Sequence, residues 1–469
     1  MDHRNLSRRD ALKLAAATGG ALAGSVLPEA LAPLGTAAQE AGPTAVPVPS
    51  GDVLEGFVPL LTDEPITLEY WSGNQYEPSI ELIDQVIERF SVAYPQVTVN
   101  AVSGQNCDAF VTAAAAGTPP DLFHTWDCVQ RMGNFAERGL IIPLDAYIEQ
   151  TDFDLDDYGS NIMDTCRMAG QTWGMVDTAG LYLLWTRPPI LAEAGIPPDA
   201  LPADTDELWA WAEAATVRDA NGAIERLGFS PPRGTWEWYS WIASYGGVLW
   251  DDETGQPTPD HPGVIAALND VVAQVNNYGA DNLTRWTASM EAQAGAPSPY
   301  LTGGLAMMLD GDWTGQTITD SELPWTFGED YNAGAVPPPP ADKLQGESRI
   351  AFWSWPWVIP AGTANPDWSW ELLRYVLSPE YQINVHARLQ EIVVRRSLLG
   401  DERLSYPTVT IADDIINGSR PLTTVMPMIP VAAEYTNLLN EAFERVSSLA
   451  ETPEQAMALV KEDTLAEMS

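Results

Sequence analysis

Hydrophobic positions in the first third of the chain switch repeatedly between strand spacing and helix spacing. Residues 66–71 form a β-rich run, and residues 79–94 place apolar side chains at helical spacing until Pro95. The same order continues with a strand at 97–101, a helix at 109–116, a strand at 120–126 and a helix at 132–138. Strands that alternate with helices in this way predict a parallel sheet with helices on its faces.

Ligands of such sheets bind beyond the carboxyl ends of the strands. Three segments that follow predicted strands are therefore expected at one edge of the sheet, namely residues 72–75, 105–107 and 126–128.

A second α/β region begins near residue 174. It contains an apolar strand at 181–185, helices at 205–215 and 261–277, a four-proline loop at 337–340 and a strand at 352–359. Residues 365–389 have a helical pattern, and residues 433–468 are typical of two amphipathic helices. We find no heptad repeat and no internal duplication.

Composition narrows the possible partners. The chain has 469 residues, with 65 acidic and 23 basic side chains, which gives a net charge of −42. Binding to nucleic acid or to an anionic membrane surface needs clustered Lys and Arg, so neither is expected as the main partner. Hydrophobic residues make up 45% and charged residues 19%, as in a globular protein. Tryptophan is unusually frequent, with 18 residues.

The N-terminal segment resembles an export signal. Adjacent Arg8 and Arg9 precede an apolar Ala/Gly/Leu run at 14–27 and small residues up to Ala38. This order predicts a twin-arginine signal peptide over residues 1–38, followed by a flexible tether at 39–54, and hence export to the periplasm or the extracellular cell-surface side. The alternative is an Ala-rich first helix of the folded domain. The apolar run is too short to remain as a membrane span.

The cysteines and histidines predict neither a metal site nor a cofactor. Cys107, Cys128 and Cys166 match neither a redox pair nor a zinc site, and the four histidines form no HExxH motif. A Cys107–Cys128 disulfide and three free thiols both remain open.

Six short strings, in order along the chain, resemble those of one protein family. They are AAAAGTPPD at 113–121, FAERGLIIPLD at 135–145, GQTWGM at 170–175, GLAMMLDGDW at 304–313, IPAGTANP at 359–366 and SPEYQ at 378–382. Together they resemble the extracellular solute-binding proteins of ABC importers, of the sugar-binding, maltose-binding-protein-like type.

The resemblance implies an α/β, two-lobed periplasmic-binding-protein-like fold, whose discontinuous lobes are joined by a hinge and close over the ligand. Lobe one would comprise residues 55–176 plus 349–404, and lobe two residues 177–348 plus 405–469. The resemblance also implies a monomer that catalyses nothing and delivers a mono- or oligosaccharide to the transmembrane subunits of an ABC permease.

A sugar ring has an apolar face and a fringe of hydroxyl groups, so its site needs flat aromatic surfaces with hydrogen-bonding groups at their edge. The resemblance places ligand contacts at Trp126, Asp127 and Trp313. It also places aromatic contacts at the helix start near residue 234, where we predict Trp236 with Arg233 beside it as a planar donor. Core packing of these tryptophans, and helix capping by Asp127, are the alternatives.

Further candidates come from the strand pattern. Trp353 and Trp355 alternate with Trp357 and so share one side of a strand, where either could line the cleft or pack in the core. Polar candidates lie at the predicted sheet edge or at the first crossover between the lobes: Asn74, Gln75, Gln105, Asp177 and Thr178. Other tryptophans are expected to pack in the core: Trp209, Trp211, Trp368 and Trp370.

Three other functions remain possible from the sequence. The solute could be a charged molecule such as a polyamine rather than a sugar. An exported glycosidase would also be acidic and rich in tryptophan, and would use two carboxylates about 5 to 10 Å apart. A lectin-like adhesin would bind sugar without a transporter.

Overall fold

The computed structural model describes residues 64–469, except 125, 160, 292–297, 405, 407, 410, 412–419 and 425. The predicted signal peptide at 1–38 and the tether at 39–54 lie outside the described residues. Within the described residues, every helix is too short or too polar to cross a membrane.

The strands of the described chain are numbered in chain order. They are β1 (Ile66–Ser72), β2 (Val97–Val102), β3 (Leu122–His124), β4 (Arg167–Met168), β5 (Gln171–Thr172), β6 (Met175–Thr186), β7 (Val217–Arg218), β8 (Ile224–Phe229), β9 (Trp250–Asp251), β10 (Gln256–Pro257), β11 (Leu305–Gly311), β12 (Asn332–Ala335), β13 (Ile350–Val358) and β14 (Leu422–Thr423).

The helices of the described chain are numbered in the same way. They are α1 (Glu77–Ala93), α2 (Cys107–Ala115), α3 (Met132–Glu137), α4 (Asp145–Gln150), α5 (Pro188–Glu193), α6 (Thr205–Ala215), α7 (Thr235–Ser244), α8 (Pro262–Tyr278), α9 (Ala280–Glu291), α10 (Pro299–Thr302), α11 (Thr314–Asp320), α12 (Pro366–Val376), α13 (Pro379–Leu389), α14 (Ala432–Ser447) and α15 (Pro453–Glu467). Short 3-10 helices span Trp126–Arg131, Ile162–Cys166 and Arg396–Leu398.

One mixed sheet runs through the described chain in the order β2-β1-β3-β13-β6-β11-β8-β7, with β12 beside β6 and β14 beside β13. The predicted parallel arrangement is correct for β1, which pairs in parallel with both β2 and β3. It does not extend across the sheet, because β13 is antiparallel to β3 and to β6. This pairing joins segments more than 150 residues apart, which no local hydrophobic pattern reports.

One predicted strand was wrong in detail. The strand expected at 120–126 ends at His124, and Trp126 begins a 3-10 helix instead. The helical segment expected at 365–389 consists of two helices, α12 and α13, because Ser378 is extended (φ −66°, ψ 143°). Pro379 follows it, and proline disfavours the helical conformation in the residue that precedes it.

The core contains the tryptophans that the sequence assigned to packing. Trp209, Trp211, Trp368 and Trp370 are all buried, and Trp370 is 0% exposed. The fold therefore uses part of the unusual tryptophan content simply to fill the space between helices and sheet.

Candidate functional site

A cavity of about 560 Å³ lies beyond the carboxyl end of β1, where Gly73 and Asn74 follow the strand. Six aromatic side chains line it: Tyr76, Trp126, Trp236, Trp313, Trp353 and Trp355. Its polar side chains are Asn74, Gln75, Ser79, Asn106, Gln316 and Glu391. Flat apolar surfaces with a sparse polar fringe are the composition that pockets for small organic ligands have.

Three of the tryptophans form one aromatic cluster on the cavity wall. Trp353 on β13 stacks on Trp236 of α7, with ring centroids 4.7 Å apart and planes 30° from parallel. Trp313, the N-cap residue of α11, meets Trp353 edge-on at 5.9 Å. Tyr182 of β6 contacts Trp313 at 5.7 Å and Trp353 at 5.3 Å. These contacts restrain the indoles before any ligand arrives, which lowers the entropic cost of binding.

Two glycines provide the space for these indoles. A β-carbon on Gly180 would lie 2.4 Å from atoms of the Trp353 ring, and one on Gly311 would lie 2.3 Å from the Trp313 ring. Any side chain at either strand position would displace the tryptophan, so the close approach requires glycine. Gly180 pairs with Trp353 across β6 and β13.

A polar group at the mouth of the cavity connects distant elements. The Tyr76 hydroxyl donates to Oδ2 of Asp320 at 2.5 Å, and Gln316 donates its Nε2 hydrogen atoms to the Tyr76 oxygen and to Asp320. Arg388 lies 3.5 Å from Asp320. Burial and the neighbouring Asp320 both raise the pKa of Tyr76, so its hydroxyl stays a neutral donor. The residue before α1 is thus tied to α11 and α13.

The inner end of the cavity is acidic. Glu391 is 7% exposed and borders both the cavity and a chamber of about 20 Å³ that also contains His124 and Asp177. Burial raises the pKa of Glu391 well above its usual range, with the neighbouring Asp312 and Asp177 adding to the shift. Burial alone lowers the pKa of His124 to about 3, so this histidine is neutral.

The structure brings seven of the predicted site residues to the cavity: Asn74, Gln75, Trp126, Trp236, Trp313, Trp353 and Trp355. Trp126 remains 54% exposed, so much of its side chain faces open space. Whether these residues bind a ligand stays a prediction.

Other predicted residues lie elsewhere. Arg233 is not beside Trp236 in this cavity, because its guanidinium donates to Thr287 of α9 at 2.6 Å and lines a separate cavity of about 510 Å³. Asp177 and Thr178 lie inside the long buried strand β6, where Asp177 borders the inner chamber and Thr178 donates to the Ile392 carbonyl at 3.4 Å. Gln105 does not line the cavity, although Gly104 and Asn106 do. The side chain of Asp127 lies outside the described residues.

Sequence reasoning missed five polar or aromatic lining residues, one of them Ser79 in the first turn of α1. Tyr76 directly follows the predicted polar pair Asn74-Gln75, and Gln316 lies three residues after Trp313, one turn along α11, so both could have been inferred from their neighbours. Asn106 caps α2 by accepting from the backbone of Ala109. Glu391 has no such local signal, because it follows α13 in an irregular segment.

A disulfide ties two segments of the cavity edge together. Cys107 pairs with Cys128, with α-carbons 5.5 Å apart, and Cys166 is a buried free thiol. Cys107 follows Asn106, and Cys128 belongs to the 3-10 helix that begins with Trp126. The bond therefore restrains the positions of both lining residues. Among the described residues, no group of three or more His, Cys, Asp or Glu side chains could hold a metal ion.

Comparison with known proteins identifies a family and relatives that are similar to most of this chain. The sequence profile of the family described as bacterial extracellular solute-binding protein matches residues 76–383. A maltotriose-binding protein of Pyrococcus abyssi (strain GE5 / Orsay) is 26% identical over 349 residues, which are 72% of this chain and 68% of that protein.

Solved structures share the two-lobed α/β fold. CpMnBP1 with mannotriose bound superposes with a TM-score of 0.73 and 22% identity, covering 85% of this chain and 100% of that one. The GacH receptor of Streptomyces glaucescens GLA.O, solved without ligand and with acarbose, has a TM-score of 0.66 and 19% identity over 85% of this chain and 97% of that one.

Proposed function

The chain belongs to the family of bacterial extracellular solute-binding proteins, and on that premise we propose that it captures a carbohydrate in the tryptophan-lined cavity. In this proposal the protein is the substrate-binding component of an ABC-type sugar importer. It delivers its ligand to the transmembrane subunits of a membrane permease.

The observation that carries the proposal is the combination of five indoles with a polar fringe around one cavity. Indole faces match the apolar C–H faces of sugar rings, while the amides of Asn74, Gln75 and Gln316 match their hydroxyl groups. A volume of about 560 Å³ is within the range of pockets for small molecules. Similarity to a maltotriose-binding protein and to structures solved with mannotriose or acarbose supports an oligosaccharide as the ligand class.

The proposed lobes also fit this cavity. With lobe one at 55–176 plus 349–404 and lobe two at 177–348 plus 405–469, Tyr76, Trp353 and Trp355 belong to the first. Trp236, Trp313 and Gln316 belong to the second. Lining residues drawn from both lobes support capture by closure around the ligand.

Binding without catalysis is the proposed outcome of this arrangement. Among the described residues that line the cavity, Glu391 carries the one carboxylate, whereas a glycosidase uses two about 5 to 10 Å apart. We also propose export by the twin-arginine route, on the basis of Arg8-Arg9 and the apolar run that follows.

A thermal-shift screen tests this function. We expect maltotriose, mannotriose or acarbose to raise the melting temperature, because a ligand at 100 times its dissociation constant adds about 2.7 kcal/mol of stability. Spermidine and amino acids serve as comparison solutes. If spermidine raised the melting temperature and no saccharide did, the ligand would be a cationic solute rather than a sugar. If the protein hydrolysed a saccharide and substitution of a single carboxylate residue abolished that hydrolysis, the alternative function as a glycosidase would be supported instead.

A further inference from the structure

Glu391 occupies an unusual position at the inner wall of the cavity. It is 7% exposed, and in the described part of the chain its Oε2 atom has no hydrogen-bond partner. The residue lies between the main cavity of about 560 Å³ and the inner chamber of about 20 Å³, and it lines both. A buried carboxyl oxygen without a hydrogen-bond partner costs stability, so its retention needs an explanation.

The inner chamber behind Glu391 holds further unpartnered polar atoms. Both ring nitrogens of His124 and Oδ1 of Asp177 have no hydrogen-bond partner among the described residues, and His124 Nε2 lies 4.0 Å from that Asp177 oxygen. The ring of His124 is held flat against Trp357, with centroids 4.0 Å apart. A chamber of about 20 Å³ has room for about one water molecule. Glu391 therefore separates a polar interior from the space that a ligand would occupy.

Among the described residues that line the cavity, neither Lys nor Arg is present to place a positive charge at its inner end. The guanidinium of Arg388 is at the mouth instead, where Asp320 accepts from it at 3.5 Å. Asp177 lines the inner chamber with Glu391, and Asp312 lies close enough to raise the pKa of Glu391 further. Burial raises the pKa of both Asp177 and Asp312 to about 7. An anionic ligand group would find no partner cation at this end of the cavity.

We propose that Glu391 determines specificity at the inner end of the cavity by hydrogen bonding to one hydroxyl group of an uncharged saccharide. This inference rests on the proposed carbohydrate function and deepens it. It excludes uronates and sugar phosphates as ligands, because their charged groups would be unpaired in the acidic interior.

The chemistry of a buried carboxyl suits a hydroxyl group. Burial raises the pKa of Glu391 and so favours its protonated form, and a protonated carboxyl can donate and accept a hydrogen bond, as a hydroxyl does. A site built to pair with a particular hydroxyl discriminates strongly against analogues that lack it, because the protein group is then left unpaired.

A cycle of protein and ligand changes tests the assignment. Titration calorimetry would compare the unmodified protein, Glu391→Leu and Glu391→Gln, with maltotriose and mannotriose and with a series of their monodeoxy derivatives. Glu402→Leu makes the same change at an exposed position and is the control. We expect Glu391→Leu to weaken binding at least tenfold and Glu391→Gln by less than about threefold, because an amide also donates and accepts.

The deoxy series gives the decisive comparison. We expect one monodeoxy derivative to bind the unmodified protein at least tenfold more weakly than the parent saccharide does. The same derivative should bind Glu391→Leu less than threefold more weakly than the parent saccharide does. If every deoxy penalty were identical in the unmodified protein and in both Glu391 variants, the assignment would be wrong while sugar binding stood. Tight binding of trigalacturonate or trimannuronate would overturn it as well. No binding by any saccharide would overturn the proposed function itself and this inference with it.

Discussion

The indole rings of Trp236 and Trp353 stack with their centroids 4.7 Å apart, although 116 residues separate them in the chain. Trp236 lies on α7 and Trp353 on the central strand β13, so the contact joins a helix of one proposed lobe to a strand of the other. We propose that this pair and Trp313 form the surface on which sugar rings stack.

Removal of a cavity indole should weaken carbohydrate binding. We expect Trp313→Ala and Trp236→Ala each to reduce affinity at least tenfold, because each substitution removes an indole face on which a sugar ring stacks. The loss corresponds to about 1.4 kcal/mol or more of binding free energy. Titration calorimetry with maltotriose and mannotriose measures the change. Trp250→Ala removes a partly buried indole that does not line this cavity, and it should leave affinity unaltered. Equal affinity in all three variants would argue against the aromatic surface as the site.

Addition of a methyl group behind the indoles should have a similar effect without removing a ring. Gly311→Ala and Gly180→Ala place a β-carbon within 2.4 Å of Trp313 and Trp353, so each ring must move. We expect a fivefold or greater loss of affinity and a changed tryptophan fluorescence spectrum. Gly234→Ala is the matched control, since its β-carbon would meet nothing closer than 3.7 Å. A spectrum and affinity like those of the unmodified protein would contradict the proposed role of these glycines.

The hydrogen bonds at the cavity mouth should slow ligand release. Tyr76→Phe removes the hydroxyl that donates to Asp320 and accepts from Gln316. We expect the dissociation rate to rise about three- to tenfold with little change in association rate, because the lost bonds hold the mouth together once it is closed. Stopped-flow fluorescence measures both rates. Tyr147→Phe, which loses a hydrogen bond of 2.8 Å to Asp367 outside the cavity, should leave both unchanged.

His124 should make stability depend on pH in the acid range. Burial lowers its folded pKa to about 3, so the unfolded chain binds a proton below pH 6.5 that the folded chain does not. The stability that neutral His124 contributes is fully present above pH 6.5 and is lost as the pH falls toward 3. Between pH 7 and pH 4, the unmodified protein should therefore lose on the order of 3 kcal/mol more stability than His124→Phe.

Urea unfolding at several pH values measures this difference. Phenylalanine keeps a flat ring over Trp357 but cannot titrate, so the stability difference at pH 7 gives the packing cost of the substitution. Parallel stability curves for the two proteins between pH 7 and pH 4 would show that the imidazole is not buried in neutral form.

Local sequence patterns predicted much of the fold. The alternation of strands and helices gave β1, β2, α1 and α2 within a few residues, because each has a hydrophobic face of the right period. The antiparallel insertion of β13 beside β3 was not predictable in this way, since strand partners far apart in sequence share no local signal.

The same distinction applies to the candidate site. Tryptophans placed by strand ends or by family strings, such as Trp126 and Trp313, do reach the cavity. Arg233 does not line this cavity, because its guanidinium donates to Thr287, and a tertiary contact of this kind leaves no signal in the local sequence. Glu391 was missed because burial, rather than sequence context, makes it unusual among the 65 acidic residues.

Titration calorimetry of the purified protein with maltotriose and mannotriose, alongside the Trp236→Ala variant, tests whether the tryptophan-lined cavity binds a carbohydrate. We expect saturable binding of one oligosaccharide per chain, at least tenfold weaker in the variant, with the saccharide recovered intact afterwards. Absence of binding by any saccharide, or affinity in both the Trp236→Ala and the Trp313→Ala variant equal to that of the unmodified protein, would contradict this proposal.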